Sequence, residues 1–471
     1  MKKVTILGAG TGGIALSLSL AMRGFRASVY DRRPDPTGQT HEVRASNNIT
    51  LSHRGLNVLS DFGLGSAVRE LCLPIRGRII HSIDGTLFTQ SYSPQGHCLY
   101  CTSRVALERL LIHAVRKTET VKMHFQEDCA FVDVASGLIK FKNKRTGNLT
   151  QADDEYVIGA DGSSSLLRGA LECSGRSAVE TRVFPFGYKE IPLTLSPEAE
   201  DTLSAEYLHV WARGEFFLIA FPNPDQSFNS ILFMSSVGAL SLASLNNKRA
   251  VEEFLESEFP DLYYSVPNLV VEFLKAQPRS LKTIRCYPWV SGKFALLGDA
   301  AHTILPFYGQ GMNATLEDCA ILSQCLEQDE WNCEEALINY QRLRKPNADA
   351  IDELSLEHFS YLTSYSTTYE SIRRKEIEAE LALRFPDDFV SVYTLVQFSD
   401  LPYLTCQRIA EVQTELVDCL LSFQGQLEWE SQTVGSLVRD ASTTISRERN
   451  ALRANRYLVR MAHLNYDADI V

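Results

Sequence analysis

The segment Leu296–Cys319 reads LLGDAAHTILPFYGQGMNATLEDC and concentrates residue types that could bind a redox ring. Asp299 can accept a hydrogen bond from a ribityl hydroxyl, and the glycine before it lets the backbone approach a ligand closely. Pro306 fixes the entry to a bend. The amides of Gly309–Met312 would open a helix, whose N-terminus favours negative charge on a reduced flavin or a phosphate. The Gly-Asp pair alone is better explained by a surface carboxylate, but the whole segment favours a flavin site.

The N-terminus carries a dinucleotide-binding fingerprint in its expected context. Residues 4–7 predict a strand, GAGTGG follows, and an apolar helix leads to a second strand that ends at Asp31. In this motif Gly8 makes the turn, Gly10 admits the pyrophosphate and Gly13 lets helix and strand pack closely. Asp31 would accept hydrogen bonds from the adenosine ribose. The fingerprint does not separate FAD from NAD.

A second segment favours FAD. Residues 156–168 read YVIGADGSSSLLR, a strand that ends before Asp161 and turns into a polar stretch. Together with the other two motifs, this GADGxxSxxR pattern resembles the single-component FAD monooxygenases with the para-hydroxybenzoate hydroxylase fold. In that family the segment touches both FAD and NADPH, which implies the same for Asp161. Only one GxGxxG occurs, so NADPH or NADH would bind without a Rossmann domain of its own.

The composition is that of a globular protein and excludes several classes. The chain has 471 residues, enough for two or three domains. A net charge of −12 argues against nucleic acid and anionic membrane surfaces as partners. The 11 cysteines lack framework spacing, which favours free thiols in a reducing, cytoplasmic compartment. The Cys98-Leu-Tyr-Cys101 pair has no second pair to complete a metal site, and no apolar stretch is long enough to span a bilayer.

Between the cofactor motifs the pattern changes to strands that could cover a pocket. Residues 78–83 and 86–92 flank Asp84-Gly85, a two-residue hairpin signal. Four further strand-like runs lie between Phe184 and Met234. Their spacing and aromatic content indicate an antiparallel sheet with one face over a substrate pocket.

These patterns predict an α/β fold: a Rossmann-like FAD-binding domain, an inserted antiparallel-sheet substrate domain and a C-terminal helical region. From Glu334 onward the chain reads as mostly helical, with breaks at Pro346 and Pro386. The expected boundaries are 1–70, 98–180 and 284–330 for the FAD-binding domain, 71–97 for the substrate-domain hairpin, 181–283 for the substrate-domain sheet and 331–471 for the helical region.

Among these hydroxylases the chain resembles the kynurenine 3-monooxygenase family. The resemblance rests on the stretches GRIIHSIDG, FPFGYKEIPL, YLHVWARGEFFLIAFPN and PFYGQGMNATLEDC, and it fades beyond about Ser399. The membrane anchor that follows in the animal enzymes is missing from the sequence. The resemblance therefore implies a soluble, bacterial-like version.

The resemblance assigns substrate roles to three side chains. In that family an arginine and two tyrosines hold the substrate carboxylate, and the matching positions here are Arg78, Tyr92 and Tyr393. Arginine presents a planar fork suited to a carboxylate, and tyrosine hydroxyls add neutral donors. In an ideal two-residue hairpin Arg78 would lie opposite Ser91. A bulge or a longer turn is therefore needed to bring Tyr92 to the same face.

Further roles follow from the same resemblance. The residues expected along the reaction face of the flavin are Pro306, Phe307 and Gln310. The additional cofactor-binding residues are expected to be Arg104, Gly311, Met312 and Asn313. His302 is not assigned a proton-transfer role, because histidines in such loops are more often structural.

One position departs from the family pattern. Where the family has an asparagine near the substrate headgroup, 35 positions before Tyr393, this chain has His358. Histidine is larger than asparagine and is neutral or cationic near pH 7. The reaction class is therefore better determined than the substrate.

The resemblance implies that NAD(P)H reduces FAD and that a flavin C4a-hydroperoxide then hydroxylates an electron-rich ring. The substrate would be a small aromatic carboxylate, with L-kynurenine to 3-hydroxykynurenine as the first expectation. Two alternatives remain open. One is a hydroxylase of another tryptophan-derived or anthranilate-like acid in secondary metabolism. The other is a flavin-bearing sensor or partner protein without turnover.

Overall fold

The computed structural model describes residues 3–38, 48–92, 96–152, 154–328, 332–363, 369–386, 388–423, 429 and 431–451. The chain divides into two compact units, Met1–Lys345 and Pro346–Val471.

The elements up to the second predicted cofactor motif are, in chain order, β1 (Lys3–Leu7), α1 (Thr11–Met22), β2 (Arg26–Asp31), β3 (Asn48–Leu51), α2 (His53–Asp61), α3 (Gly65–Leu71), β4 (Leu73–Ile75), β5 (Gly77–His81), β6 (Leu87–Ser91), β7 (Leu99–Ser103), α4 (Arg104–Arg116), β8 (Val121–Phe125), β9 (Glu127–Val132), β10 (Ile139–Asn143), β11 (Leu149–Ala152) and β12 (Tyr156–Gly159).

The elements that follow are α5 (Leu166–Cys173), β13 (Ala178–Leu193), β14 (Tyr207–Ala212), β15 (Phe217–Pro222), β16 (Phe228–Ser235), α6 (Lys248–Glu258), α7 (Pro260–Ser265), α8 (Leu269–Lys275), β17 (Arg279–Tyr287), β18 (Val290–Ser291), β19 (Phe294–Leu296), β20 (His302–Thr303), α9 (Gly311–Gln328), α10 (Cys333–Thr363), α11 (Tyr369–Arg384), α12 (Val392–Phe398), α13 (Tyr403–Leu421) and α14 (Gln432–Ala451). Short 3-10 turns lie at Pro197–Thr202, Gly298–Ala300 and Pro306–Tyr308.

A six-stranded sheet carries the dinucleotide fingerprint. Its order is β18-β19-β12-β1-β2-β8, and β1 pairs in parallel with both β2 and β12. The last four residues of β1 are buried, as expected of a parallel strand that is covered on both faces. The glycine-rich turn at residues 8–10 therefore lies at the carboxyl end of β1, the edge at which such sheets bind ligands.

An eight-stranded sheet contains the strands that were predicted to cover a substrate pocket. Its order is β20-β17-β13-β16-β15-β14-β5-β6, with β14 and β5 parallel and the other pairs antiparallel. Buried side chains of one face, among them Trp211 and Phe228, form a core with Phe254, Phe259 and Phe273 of the helical segment between β16 and β17. Since side chains alternate along strands, the intervening residues lie on the opposite face. The predicted α/β fold with an antiparallel layer is confirmed.

Two smaller sheets complete the first unit. One has the order β11-β10-β9 and the other the order β3-β7-β4. In the second of these, Asn48 lies opposite Ser103 at the start of α4. This pairing holds β3 beside α4.

The hairpin of β5 and β6 forms, but the predicted two-residue turn is wrong. His81 lies opposite Leu87, and the Ser82 N–H donates to the Thr86 oxygen at 3.0 Å, which leaves three residues in the turn. Gly85 has φ +85°, the left-handed conformation that closes such a turn. The Asp84 carboxylate accepts the Thr86 N–H at 3.0 Å and stabilises the longer turn.

The predicted break at Pro346 is also wrong, because α10 continues through this residue. A proline inside a helix removes one main-chain hydrogen bond. Ala348, Ile351 and Leu354 are buried along the same helix, and their packing offsets that loss. The break expected at Pro386 is confirmed, since α11 ends at Arg384.

The second unit is helical and has its own core. Buried apolar side chains from α11, α13 and α14 pack together: Ile377, Leu381, Leu416, Val417, Leu420, Val434 and Val438. Within the described residues, none of the helices combines the length and the apolar character that crossing a bilayer requires.

Candidate active site

Glycine is required in the fingerprint for two different structural reasons. A Cβ atom on Gly8 would lie 2.4 Å from the Ala160 oxygen, and one on Gly13 would lie 2.0 Å from the Gly8 oxygen. These two positions are fixed by contacts within the protein. A Cβ atom on Gly10 would meet no heavy atom within 4 Å. Gly10 therefore faces open space, the space that the motif leaves for a pyrophosphate.

The carboxylate of Asp31 lies beneath this turn, at the end of β2. Its Oδ2 atom accepts the Ala9 N–H at 2.7 Å, and its Oδ1 atom accepts the Arg33 N–H at 2.7 Å. The Arg33 guanidinium contacts the same carboxylate at 3.1 Å and donates to the Ala9 oxygen at 2.9 Å. The predicted ribose acceptor is thus oriented by the turn and by Arg33, an arginine that is not part of the fingerprint.

Two buried oxygen atoms in the cradle have no hydrogen-bond partner among the described residues. One is Oγ1 of Thr11, the first residue of α1, and the other is Oδ1 of Asp161. The second carboxylate oxygen of Asp161 accepts the Leu166 N–H at 2.8 Å. Burial raises the pKa of the Asp161 carboxyl above its ordinary value. Orphaned oxygens of this kind fit a ligand that carries hydroxyl groups, as the ribityl chain of a flavin does.

The predicted flavin segment forms a strand, a tight turn and a helix. Gly298 has φ +61°, and a Cβ atom there would lie 2.8 Å from the Thr315 methyl carbon. Asp299 is exposed at the carboxyl end of β19. The first intrahelical hydrogen bond of α9 runs from the Ala314 N–H to the Gln310 oxygen. The amides of Gly311–Asn313 precede it, so they are the donors available at this helix N-terminus.

The Asn313 side chain bonds to the protein itself. Its Nδ2 atom donates to the Thr50 and Gly309 oxygens, both at 3.0 Å, and its Oδ1 atom accepts the Ser52 N–H at 3.0 Å. This side chain ties the start of α9 to β3 and to the residue before α2. A cofactor contact at Asn313 would therefore use its main-chain N–H.

A buried charge network lies beneath the turn at Gly298. The Asp318 carboxylate accepts hydrogen bonds from the Gly298 N–H at 3.1 Å and from the Arg344 Nε–H at 2.6 Å. It also lies 2.6 Å from the Nε2 atom of His302. Glu317 accepts from Arg344 and from Arg54, both at 3.0 Å. Burial alone would raise the pKa of Asp318, but its contacts with His302 and Arg344 hold it below the ordinary value. His302 is thus bonded to Asp318 beneath this turn, and its structural role stays a prediction.

Of the three residues predicted along the reaction face, Phe307 contacts aromatic side chains of the eight-stranded sheet. Pro306 is exposed, Phe307 is half-buried and Gln310 is buried. The Phe307 ring centroid lies 5.2 Å from that of Phe233 and 5.9 Å from that of Phe217. This contact joins the turn before α9 to the sheet face opposite the core.

The structure brings Arg78 and Tyr92 together. The guanidinium carbon of Arg78 lies 5.6 Å from the Tyr92 ring centroid. Arg78 pairs with Leu208 on β14 and with Gln90 on β6, and the Tyr92 N–H donates to the Arg76 oxygen at 3.0 Å. In this register Arg78 and Tyr92 are diagonal neighbours on one face, which the longer turn makes possible.

The other two predicted substrate residues belong to the second unit. His358 lies on α10 and Tyr393 on α12. Their ring centroids are 5.8 Å apart, so the structure also brings this pair together. Arg104, the predicted cofactor arginine, is exposed as the first residue of α4.

Several contributors were missed by the sequence reasoning. Arg33, Glu108, Asp318 and Arg344 bind one another or the predicted residues, but each belongs to an ordinary amphipathic helix or loop pattern. The one available signal was position: Arg33 follows the fingerprint acid by two residues. Phe217 and Phe233 were predicted to lie in the sheet, but their contacts with Phe307 were not predicted.

Comparisons with known proteins agree with this architecture. The FAD binding domain family matches residues 1–355. The solved 2-methyl-3-hydroxypyridine-5-carboxylic acid oxygenase superposes with a TM-score of 0.63 at 19% identity, over 79% of this chain and 95% of that one. The FAD-dependent monooxygenase pqsL of Pseudomonas aeruginosa gives 0.62 at 22% identity, over 77% and 97%. The fold, the cradle and the matched domain together define an FAD-dependent aromatic monooxygenase.

Curated relatives narrow the class further. Kynurenine 3-monooxygenases of Legionella pneumophila and Myxococcus xanthus are 36% and 37% identical over 422 residues, which is 89% of this chain and 93% and 90% of those proteins. The enzyme of Dictyostelium discoideum is 34% identical over 435 residues, covering 89% of this chain and 93% of the relative. The chain belongs to the kynurenine 3-monooxygenase family.

Proposed function

We propose that this protein hydroxylates the aromatic ring of L-kynurenine to give 3-hydroxykynurenine, with NADPH and O2 as co-substrates. The observation that carries the proposal is the Arg78–Tyr92 pair on the substrate sheet, in a chain of the kynurenine 3-monooxygenase family. Arginine with a neighbouring phenol matches a carboxylate ligand, and the Phe217–Phe233–Phe307 cluster supplies apolar surface for an aromatic one.

The cradle residues would hold FAD along its length. Gly10 and the N-terminus of α1 would receive the pyrophosphate, and Asp31 the adenosine ribose. Asp161 and Asp299 would accept hydrogen bonds from flavin or ribityl groups. The main-chain amides of Gly311–Asn313 would stabilise negative charge on the flavin ring.

The substrate sheet would hold the amino acid against the flavin. Arg78 would pair with the substrate carboxylate, and the Tyr92 hydroxyl would add a neutral donor. Pro306, Phe307 and Gln310 would line the reaction face and limit the entry of water. The chemistry of oxygen activation is supplied by the bound flavin after its reduction by NADPH. The residues of this chain therefore orient and shield the reactants rather than attack them.

His358 and Tyr393 are the proposed contacts for the amino-acid end of the substrate. The support is the family membership together with the 5.8 Å contact between their rings. Where the family pattern has a neutral amide, His358 brings an imidazole, a side chain that can be neutral or cationic. This substitution would favour an aromatic acid without a free α-amine, which is the second candidate substrate class.

We propose further that the first unit combines an FAD-binding domain with an inserted substrate domain. The support is that β5 and β6 share one sheet with β13–β17, although the cofactor elements β7 and α4 lie between them in the chain. All eleven cysteines are free thiols, which supports a reducing cytoplasmic location.

The direct test of this function is substrate-stimulated NADPH oxidation by the purified holoenzyme. L-kynurenine should accelerate the loss of NADPH absorbance in air, and under anaerobic conditions it should accelerate bleaching of the flavin band. Stimulation by a deaminated analogue but not by kynurenine would favour the second substrate class. If neither compound accelerates the reduction of the flavin by NADPH, the result would favour a sensor without turnover.

A further inference from the structure

A buried carboxylate with no assigned role lies in the cofactor cradle. Glu108 is on α4, and its side chain is 4% exposed. Its Oε2 atom lies 3.4 Å from the Arg33 guanidinium, which also holds Asp31. The main-chain N–H of Thr11, the first residue of α1, donates a hydrogen bond to the same carboxylate. Glu108 therefore faces the helix end that would receive the pyrophosphate.

The charges around Glu108 balance before the cofactor binds. Two cations face it, Arg33 after β2 and Arg104 on its own helix, and Asp31 is a second anion. The positive end of α1 adds to the cations. The pyrophosphate of FAD brings two further negative charges to this helix end. Glu108 and the pyrophosphate would then compete for the same donors.

We propose that Glu108 is a positioning residue for the cofactor, whose carboxylate takes up one proton from solvent when FAD binds. As a carboxylic acid it gains an O–H donor, which can bond a phosphate oxygen instead of repelling it. FAD affinity then falls as the pH rises, because the deprotonated acid opposes the pyrophosphate. The proposal depends on FAD binding alone and not on the identity of the substrate.

The environment of Glu108 already points in this direction. Burial raises the pKa of its carboxyl above the ordinary value, although Arg33 and Arg104 oppose the rise and Asp31 adds to it. Pyrophosphate at the end of α1 would raise it further, since like charge disfavours the ionised form. If Arg33 turned from Glu108 to the pyrophosphate, the pKa would also rise, because the carboxylate would lose an opposite charge that stabilises its ionised form.

The test is the pH dependence of FAD release from the holoenzyme. Diluted holoenzyme is brought to equilibrium at pH values from about 6 to about 8, and free FAD is measured by its fluorescence. By linkage, the slope of log Kd against pH gives the number of protons bound with FAD, and we expect it to approach about one. A wild-type slope of zero overturns the proposal without any variant.

Two variants separate Glu108 from other titrating groups. Glu108→Gln should flatten the slope to near zero and bind FAD more tightly than wild type at the upper pH. Glu119→Gln makes the same chemical change at an exposed position beyond the end of α4 and should keep the wild-type slope. If Glu108→Gln keeps the wild-type slope, another group takes up the proton and the assignment is wrong. Substrate turnover enters none of these readouts, so a different substrate would leave the result unchanged.

Discussion

The Arg78 guanidinium carbon lies 5.6 Å from the Tyr92 ring because the hairpin between them has a three-residue turn. With a two-residue turn every residue of β6 would move by one position, and Tyr92 would point to the other face of the sheet. The carboxylate of Asp84 and the left-handed Gly85 set the turn length. A solvent-exposed loop thus fixes the geometry of the proposed carboxylate site.

Replacing Arg78 by alanine should raise the KM for kynurenine. The loss of the charged partner of a partly buried carboxylate is worth on the order of 2–4 kcal/mol. FAD content should not change, because Arg78 lies on the eight-stranded sheet and not on the sheet that carries the dinucleotide fingerprint. The matched control is Arg76→Ala, an exposed arginine two residues earlier in the same segment. Steady-state kinetics with equal KM values for both variants and wild type would remove Arg78 from the site.

The fingerprint glycines should separate cofactor binding from folding. Gly10→Val places a side chain in open space, so the protein should fold with an unchanged melting temperature in the FAD-free form but retain little FAD. Gly13→Ala would press a methyl group against the Gly8 oxygen, so it should lower the melting temperature itself. The flavin-to-protein absorbance ratio and thermal unfolding measure the two effects. Full FAD retention by Gly10→Val would contradict the assignment of the pyrophosphate position.

The sequence predicted the parts of the site that depend on main-chain geometry. Gly8, Gly13 and Gly298 have the close approaches or conformations that their motifs require, and Gly10 borders the open space that its motif requires. The turn between β5 and β6 was wrong by one residue because Asp84-Gly85 suits two turn lengths, and the choice depends on a hydrogen bond to Thr86. Local patterns do not contain such tertiary or loop-specific contacts.

Residues that act through distant partners were not predictable from spacing. Asp318 meets His302 and Arg344, which lie 16 and 26 positions away, and Glu108 meets Arg33 across 75 positions. Each pair forms only when separate elements pack side by side. The break predicted at Pro346 was wrong for a related reason. Burial of neighbouring side chains outweighed the low helix propensity of proline.

Stability should fall in mild acid because of His209. Burial, together with the nearby His81, lowers the pKa of His209 from 6.5 to about 4. The imidazole is neutral: its Nε2–H donates to the Ser204 oxygen and its Nδ1 atom accepts from His81. Below about pH 6.5 the unfolded chain binds a proton that the folded chain does not. The contribution of neutral His209 to the free energy of unfolding is therefore fully present above that pH. It is lost progressively as the pH falls toward about 4, by at most about 3 kcal/mol.

Urea unfolding at several pH values, followed by tryptophan fluorescence, measures this loss. His209→Gln should be less stable at neutral pH but should show a flatter pH dependence between about pH 6.5 and about pH 4. His113→Gln, an exposed histidine on α4, should follow the wild-type curve. Parallel curves for wild type and His209→Gln would show that another group causes the acid destabilisation.

His358 should determine the preference for the amino-acid end of the substrate. A protonated imidazole attracts a carboxylate and repels an ammonium group, whereas asparagine is neutral at every pH. His358→Asn should therefore shift kcat/KM toward kynurenine and away from its deaminated analogue, with the larger shift at pH 6 than at pH 8. The same ratio for parent and variant at both pH values would mean that His358 only packs against Tyr393.

The most direct test of the account is product analysis after incubation of the holoenzyme with L-kynurenine, NADPH and ¹⁸O2. We predict 3-hydroxykynurenine that carries one ¹⁸O atom, formed in proportion to the NADPH consumed. NADPH oxidation that yields only hydrogen peroxide, with kynurenine recovered unchanged, would contradict the central claim that this site hydroxylates kynurenine.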